Sequence, residues 1–126
     1  MAGHATILLV DDERMVRDLV GAILQRHGYA VLEAHCGAEA LRICREHAGP
    51  IHLLLTDVLM PEMNGRALAE QIRSFRPDIR ILYMSGYTGH VFPRHLDGQS
   101  AIAYIQKPFT PADLARKVRE VLEEDS

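Results

Sequence analysis

Four apolar runs in this chain end in side chains suited to one chemistry: Asp11 with Asp12, Asp57, Ser85 and Lys107. Asp57 is the centre of the set. It follows His52-Leu53-Leu54-Leu55-Thr56 and precedes Val58-Leu59-Met60-Pro61-Glu62-Met63-Asn64-Gly65. Pro61 removes a backbone donor and Gly65 invites a turn, so the strand stops and delivers Asp57 to an edge. Three carboxylates brought together repel one another, and a divalent cation with oxygen ligands compensates. Magnesium suits one or two carboxylates, waters and a phosphate. Lys107 adds a compact charge able to neutralise a phosphate oxygen. It and Lys117 are the only lysines among 14 basic residues, and an arginine fork would bind less like a point charge. Ser85 offers a hydroxyl to a second phosphate oxygen, and Gly86 leaves the approach open. Phosphoryl transfer needs mainly positioning and charge stabilisation, so the set implies that Asp57 accepts a phosphoryl group.

That chemistry requires the four strand ends to share one rim. Ala5–Val10 is a continuous apolar run, as expected of a strand buried on both faces of a parallel sheet. A helix follows Asp11-Asp12-Glu13, with Met15, Val16, Leu19, Val20, Ile23 and Leu24 on one stripe. Gly28 closes it as a left-handed cap. Tyr29–Ala34 is a second strand, and Gly37–His47 a helix with Ala40, Leu41 and Cys44 inward, stopped by Gly49-Pro50. After the central strand, Gly65–Phe75 forms a helix through Leu68, Ile72 and Phe75. Ile79–Met84 is a fourth strand, leading into Ser85-Gly86. The 87–100 connection holds Gly89, Pro93 and Gly98, so any helix there is short. Ala101–Gln106 is a fifth strand, ending in Lys107-Pro108-Phe109. The last helix opens with Thr110 as cap, Pro111 at its first position and Asp113 three after the cap. Leu114, Val118, Val121 and Leu122 form its inner stripe, and the tail to Ser126 is solvated. Strand and helix alternate, which means a parallel sheet with helices on both faces. In such sheets ligands bind at the carboxyl edge.

The bulk numbers fit one domain over residues 1–126, with its core at about 5–123. The 126 residues are 48% hydrophobic and 25% charged, ordinary for a globule. The formal net charge of −3, with no basic run, argues against a nucleic-acid surface. No stretch is long and apolar enough to cross a membrane, and Met1-Ala2-Gly3-His4 has no signal pattern. Cys36 and Cys44 are the only cysteines; they lack zinc spacing and read as packing thiols in a reducing cytoplasm. The seven histidines are scattered and read as structural or solvated.

The set Val10-Asp11-Asp12-Glu13, Asp57 with Met60-Pro61 and Asn64-Gly65, Ser85-Gly86, and Lys107-Pro108-Phe109 resembles the receiver domain of two-component response regulators over nearly the whole chain. The resemblance implies a flavodoxin-like (βα)5 α/β fold, its five-stranded parallel sheet in the order 2-1-3-4-5. It implies a signalling switch rather than an enzyme, with self-phosphorylation and self-dephosphorylation its only reactions. Asp57 takes its phosphoryl group from the phosphohistidine of a sensor histidine kinase or histidine phosphotransfer protein. Mg2+ is bound by Asp12 and Asp57 directly, by the Leu59 backbone carbonyl, and by Asp11 through water. The Lys107-Pro108 bond is cis. Ser85 and Tyr104 form the switch pair, the serine moving toward the phosphoryl group and the ring rotating inward. The surface altered is that of the last strand and its flanking helices, where a phosphorylation-dependent dimer could form, though nothing requires one. The Ser85-Gly86-Tyr87-Thr88 and Gln106–Pro111 runs look more like receivers of hybrid sensor kinases than chemotaxis-type regulators. Leu59 and Tyr87, both bulky, would flank the attacking water's path, so self-dephosphorylation is expected to be slow.

Each residue also has a plainer use. Asp57 could cap a loop, Asp11 and Asp12 could stabilise the first helix dipole, and Tyr104 could simply pack in a strand. Glu13 and Glu62 read as solvated charges, and neither Thr56 nor Thr88 is assigned a role. A rival enzyme reading is a haloacid-dehalogenase-type phosphatase, whose chemistry wants a second acid two residues after the nucleophile; Leu59 stands there. A flavin- or nucleotide-binding module would present hydroxyls or glycine amides in the first loop, where this chain has three acids. A phosphorylation-independent module would not need the acids and Lys107 together.

Overall fold

Thr6–Val10 (β1) and Leu53–Asp57 (β3) lie side by side at the centre of a five-stranded parallel sheet in a computed structural model that describes residues 5–60, 62–85 and 103–123. Around them run Arg14–Arg26 (α1), Ala30–Ala34 (β2), Gly37–Glu46 (α2), Gly65–Phe75 (α3), Arg80–Ser85 (β4), Tyr104–Gln106 (β5) and Pro111–Glu123 (α4). The sheet order is β2-β1-β3-β4-β5, every pair parallel, which is the expected flavodoxin-like arrangement. The expectations for Pro61, Gly86, Tyr87, Thr88, the 87–100 connection, Ala101 at the start of the fifth strand, and both chain ends lie outside the described residues.

The central strands are apolar on both faces because helices cover both. Ile7, Leu9, Leu53, Leu55, Leu82, Met84 and Ile105 face α1 and α4, meeting Val20, Ile23, Leu24, Leu114, Val118 and Val121. The alternate residues Leu8, Val10, Leu54 and Tyr83 face α2 and α3, meeting Ala40, Leu41, Cys44, Leu68 and Ile72. This is the two-residue period of a strand read on opposite sides.

The helix ends follow their sequence signals. His27 and Gly28 close α1 through N–H donation to Leu24 and Gln25, with Gly28 at φ 92. Asn64 caps α3 by accepting from Ala67 N–H at 2.8 Å. At α4 the Thr110 hydroxyl accepts from Asp113 N–H at 3.0 Å while the Asp113 carboxylate accepts from Thr110 N–H at 3.3 Å. These bonds hold the Asp113 carboxyl below its usual range. Both cysteines are free thiols, and burial pushes the Cys44 thiol up.

Three expected core positions are not core. Met15 is 84% exposed and Leu19 62% exposed, so the buried stripe of α1 is Val20, Ile23 and Leu24 with Val16 partly covered. Met15 and Leu19 stand one residue before Val16 and Val20, about 100° round the helix and off the sheet. Phe75 is 39% exposed and carries the Arg45 guanidinium over its ring at 5.9 Å.

Candidate functional site

The register brings the acids together. Val10 pairs with Thr56, Asp57 with Met84, and Met84 with Ile105. Two residues beyond Leu9, Leu55 and Ile105, each facing α1 and α4, come Asp11, Asp57 and Lys107. Alternation therefore puts all three side chains on one face at the carboxyl rim. Lys107 Nζ lies 3.1 Å from Asp57 Oδ1 and 3.3 Å from Asp11 Oδ2, bridging the two carboxylates.

Asp11 is fully buried and held at every polar group. Its N–H donates to the Ala34 carbonyl at 3.2 Å. Its Oδ1 accepts from Glu13 N–H at 2.8 Å, and its carbonyl accepts from Arg17 Nη1 at 2.7 Å. Asp12 is exposed at the start of the loop. One carboxylate oxygen from each of Asp11, Asp12 and Asp57 lies within 4.8 Å of the others. That spacing and hard oxygen donor set fit a divalent cation such as Mg2+.

The electrostatics show the same strain. Asp57 is pushed up to about 6 from the ordinary 3.8, first by burial and then by Asp11; Lys107 opposes the rise and Asp12 adds to it. Lys107 is raised: burial works against its charge, and the attraction of Asp57 and Asp11 outweighs burial. Among the described residues one cation, Lys107, stands against three acids, which leaves the cluster short of positive charge.

Ser85 ends β4 at the same rim and is half-buried; its carbonyl accepts from Lys107 N–H at 2.7 Å. Tyr104, half-buried, packs on the α2 and α3 side of the sheet. Tyr83 pairs with Tyr104 and Ser85 with Gln106, so alternation puts Ser85 and Tyr104 on that same side. Leu59 is 57% exposed in the loop after Asp57, and the Lys107–Pro108 peptide is cis. The structure thus gathers Asp11, Asp12, Asp57 and Lys107 into one cluster, with Ser85 and Leu59 on flanking segments and Tyr104 one strand away.

Known proteins carry the same pattern. The sequence pattern of the response regulator receiver domain matches residues 7–119. The chain belongs to the response regulator receiver domain family. This receiver is 42% identical over 123 residues to the sensor kinase CckA of Brucella abortus, covering 98% of the chain and 13% of the kinase's length. It is 32% identical over 116 residues to the receiver protein CpdR of Brucella abortus, covering 92% of the chain and 95% of that protein. The crystal structure of the receiver domain from the hybrid histidine kinase CckA superposes with a TM-score of 0.80 at 34% identity, over 94% of this chain and 100% of that one. The likeness to hybrid-kinase receivers read from the motifs is therefore real, and the chain is a receiver of two-component signalling.

The sequence reading assigns no role to Thr56 or Arg17, and takes Gly65 only as a turn former and motif residue. Thr56 is fully buried and its hydroxyl donates to the Asp57 carbonyl at 3.0 Å. Gly65 packs so tightly on that carbonyl that a Cβ there would collide with Asp57 O, while its N–H donates to Val58 O at 2.8 Å. Together they fix the backbone just after the acceptor, at the Asp57 and Val58 carbonyls. Arg17 does the same for Asp11. A hydroxyl beside a strand-end acid is the available signal for Thr56; an arginine inside a helix gives none.

Proposed function

We propose that this receiver is a phosphoacceptor switch in a two-component or phosphorelay pathway. Asp57 takes the phosphoryl group of a phosphohistidine on a sensor histidine kinase or histidine phosphotransfer protein. The Asp57 carboxylate oxygen forms the new P–O bond, the P–N bond breaks, and the imidazole keeps the electron pair and takes up a proton. Mg2+, when bound, supplies charge neutralisation for the phosphoryl oxygens and the carboxylates. Asp12, Asp57 and the Leu59 carbonyl would hold it, with Asp11 acting through water. Lys107 leaves its carboxylate partners to meet one phosphoryl oxygen, and Ser85 meets another.

The added charge is then read by Ser85 and Tyr104. Their common side of the sheet supports a paired movement, with the outcome expressed at β5, α4 and their neighbours. The receiver performs no turnover on external substrate beyond its own phosphorylation and dephosphorylation. Residues 5–123 act as one unit, and the setting is cytoplasmic. Among the described residues no helix is long and apolar enough to cross a membrane.

The observation that carries this reading is the bridging of Asp57 and Asp11 by Lys107 inside a cluster of three acids. The position two after Asp57 holds Leu59, so the second acid a phosphatase of the rival type needs is absent there. The test uses acetyl phosphate or phosphoramidate with Mg2+. The expected product is one hydroxylamine-sensitive acyl phosphate per chain, abolished by Asp57→Asn. Continuous turnover of a generic phosphate ester, with no stable adduct, would contradict it.

A further inference from the structure

Arg17, on α1, has a long side chain that is mostly covered. It is 15% exposed and lies against the loop carrying two of the acids. Its Nη1 donates to the Asp11 carbonyl at 2.7 Å, and its own N–H donates to the Glu13 carbonyl at 2.9 Å. The guanidinium holds the backbone between Asp11 and Asp12, while the main-chain bond to Glu13 is the first helical bond of α1 and does not depend on the side chain. The Asp11 carbonyl belongs to the peptide that joins Asp11 to Asp12, so fixing it fixes the plane from which the exposed Asp12 carboxylate departs.

The guanidinium is itself supported. Glu33, on β2, places Oε1 3.6 Å from Arg17 Nε. Room for Glu33 comes from Gly21, in the interior of α1, where a Cβ would stand 2.7 Å from Glu33 Oε2. Gly21, Glu33, Arg17 and the Asp11 carbonyl form one chain of contacts from the sheet edge to the acidic loop.

We propose that Arg17 is a positioning residue for the divalent-cation site, holding the Asp11–Asp12 peptide with the support of Glu33 so that Asp12 presents its carboxylate beside Asp57. This rests on the reading of the acidic cluster as a Mg2+ site. Arg17 touches neither cation nor phosphoryl group. It acts by pre-setting a ligand, and removing such a partner typically weakens metal affinity by about 10- to 100-fold.

The test compares the wild type with Arg17→Met, Arg17→Lys and Glu33→Gln. Mg2+ binding is measured by titration calorimetry at a temperature where circular dichroism shows each variant folded. The expected result is about tenfold weaker binding for Arg17→Met, a smaller loss for Glu33→Gln, and an intermediate one for Arg17→Lys, which keeps the charge and loses the fork. In acetyl phosphate reactions the half-saturating Mg2+ concentration rises while the rate at saturating Mg2+ stays within about twofold, as expected when only cation affinity has changed. A folded Arg17→Met that binds Mg2+ as the wild type does would overturn the proposal and leave Arg17 a tie between α1 and β2. Should Arg17→Met fail to fold, unchanged affinity in Glu33→Gln overturns it instead. A wild type that does not bind Mg2+ at all would sink the cation-site reading itself, a separate result.

Discussion

Replacing the acceptor by its neutral isostere should make the cation-free protein more stable at neutral pH. The Asp57 carboxyl, pushed up to about 6 in the folded chain from an ordinary 3.8, binds its proton more tightly folded than unfolded. Between those values the folded state holds a proton that the unfolded state has lost. Stability therefore falls as pH rises from about 4 through about 6, and the deficit persists at pH 7. At about 1.4 kcal/mol per tenfold the full gap corresponds to roughly 3 kcal/mol. Asp57→Asn removes this deficit and also the attraction to Lys107, and the amide must still be accommodated in a site only 13% exposed. The expected gain at pH 7 is about 1–3 kcal/mol, or a rise in Tm of about 4–12 °C for a domain of this size. At pH 4 the two proteins should differ little. The assay is thermal and urea unfolding of both proteins in chelator at pH 4 and pH 7. An Asp57→Asn protein less stable than the wild type at pH 7, or a stability difference independent of pH, would refute the electrostatic argument. Adding Mg2+ should stabilise the wild type by mass action and the variant less.

Four further outcomes follow from particular contacts. Lys107→Met leaves Asp11 and Asp57 facing each other uncompensated and should cost about 3 kcal/mol or more at pH 7 in chelator, by urea unfolding, with much of the loss recovered on acidification. Gly65→Ala drives a Cβ into the Asp57 carbonyl, a backbone atom that cannot step aside alone, and should cost about 2 kcal/mol or more while slowing phosphorylation by acetyl phosphate. Leu59→Asn replaces an apolar side chain, 57% exposed beside the acceptor, with an amide able to orient water; phosphoryl decay should quicken severalfold, and an unchanged rate would count against the slow-decay expectation. Arg76 donates to the carbonyls of Cys44, His47 and Gly49 at 2.9–3.1 Å, closing the C-terminus of α2. Arg76→Met should cost about 2 kcal/mol in urea unfolding and leave phosphorylation kinetics unaltered.

The sheet was legible because its inner strands are buried on both faces. Thr6–Val10 and Leu53–Asp57 read as unbroken apolar runs, and their boundaries fell within a residue of the structure. The cluster was legible for a related reason: a parallel sheet gathers its strand ends on one rim, so Asp11, Asp57 and Lys107 could be assembled from strand boundaries alone. The helix surfaces were less so. Met15 and Leu19 are apolar yet 84% and 62% exposed, since hydrophobic character permits burial without requiring it. Side-chain contacts to backbone outside the helix caps were less legible. The Arg17 guanidinium on the Asp11 carbonyl and the Arg76 fork on α2 satisfy carbonyls that no residue-type pattern announces. The close approach of Gly65 to Asp57 depends on how the loop closes, and Glu62 in that loop adopts a φ of 74 that its residue type does not suggest.

The most direct measurement locates the phosphoryl group. After treatment with acetyl phosphate and Mg2+, borohydride converts an acyl phosphate to the corresponding alcohol, and mass spectrometry of the peptides reads its position. Conversion of residue 57 to homoserine, dependent on Mg2+ and lost with chelator, is the predicted result. Modification at any other residue, or modification of residue 57 indifferent to Mg2+, would contradict it.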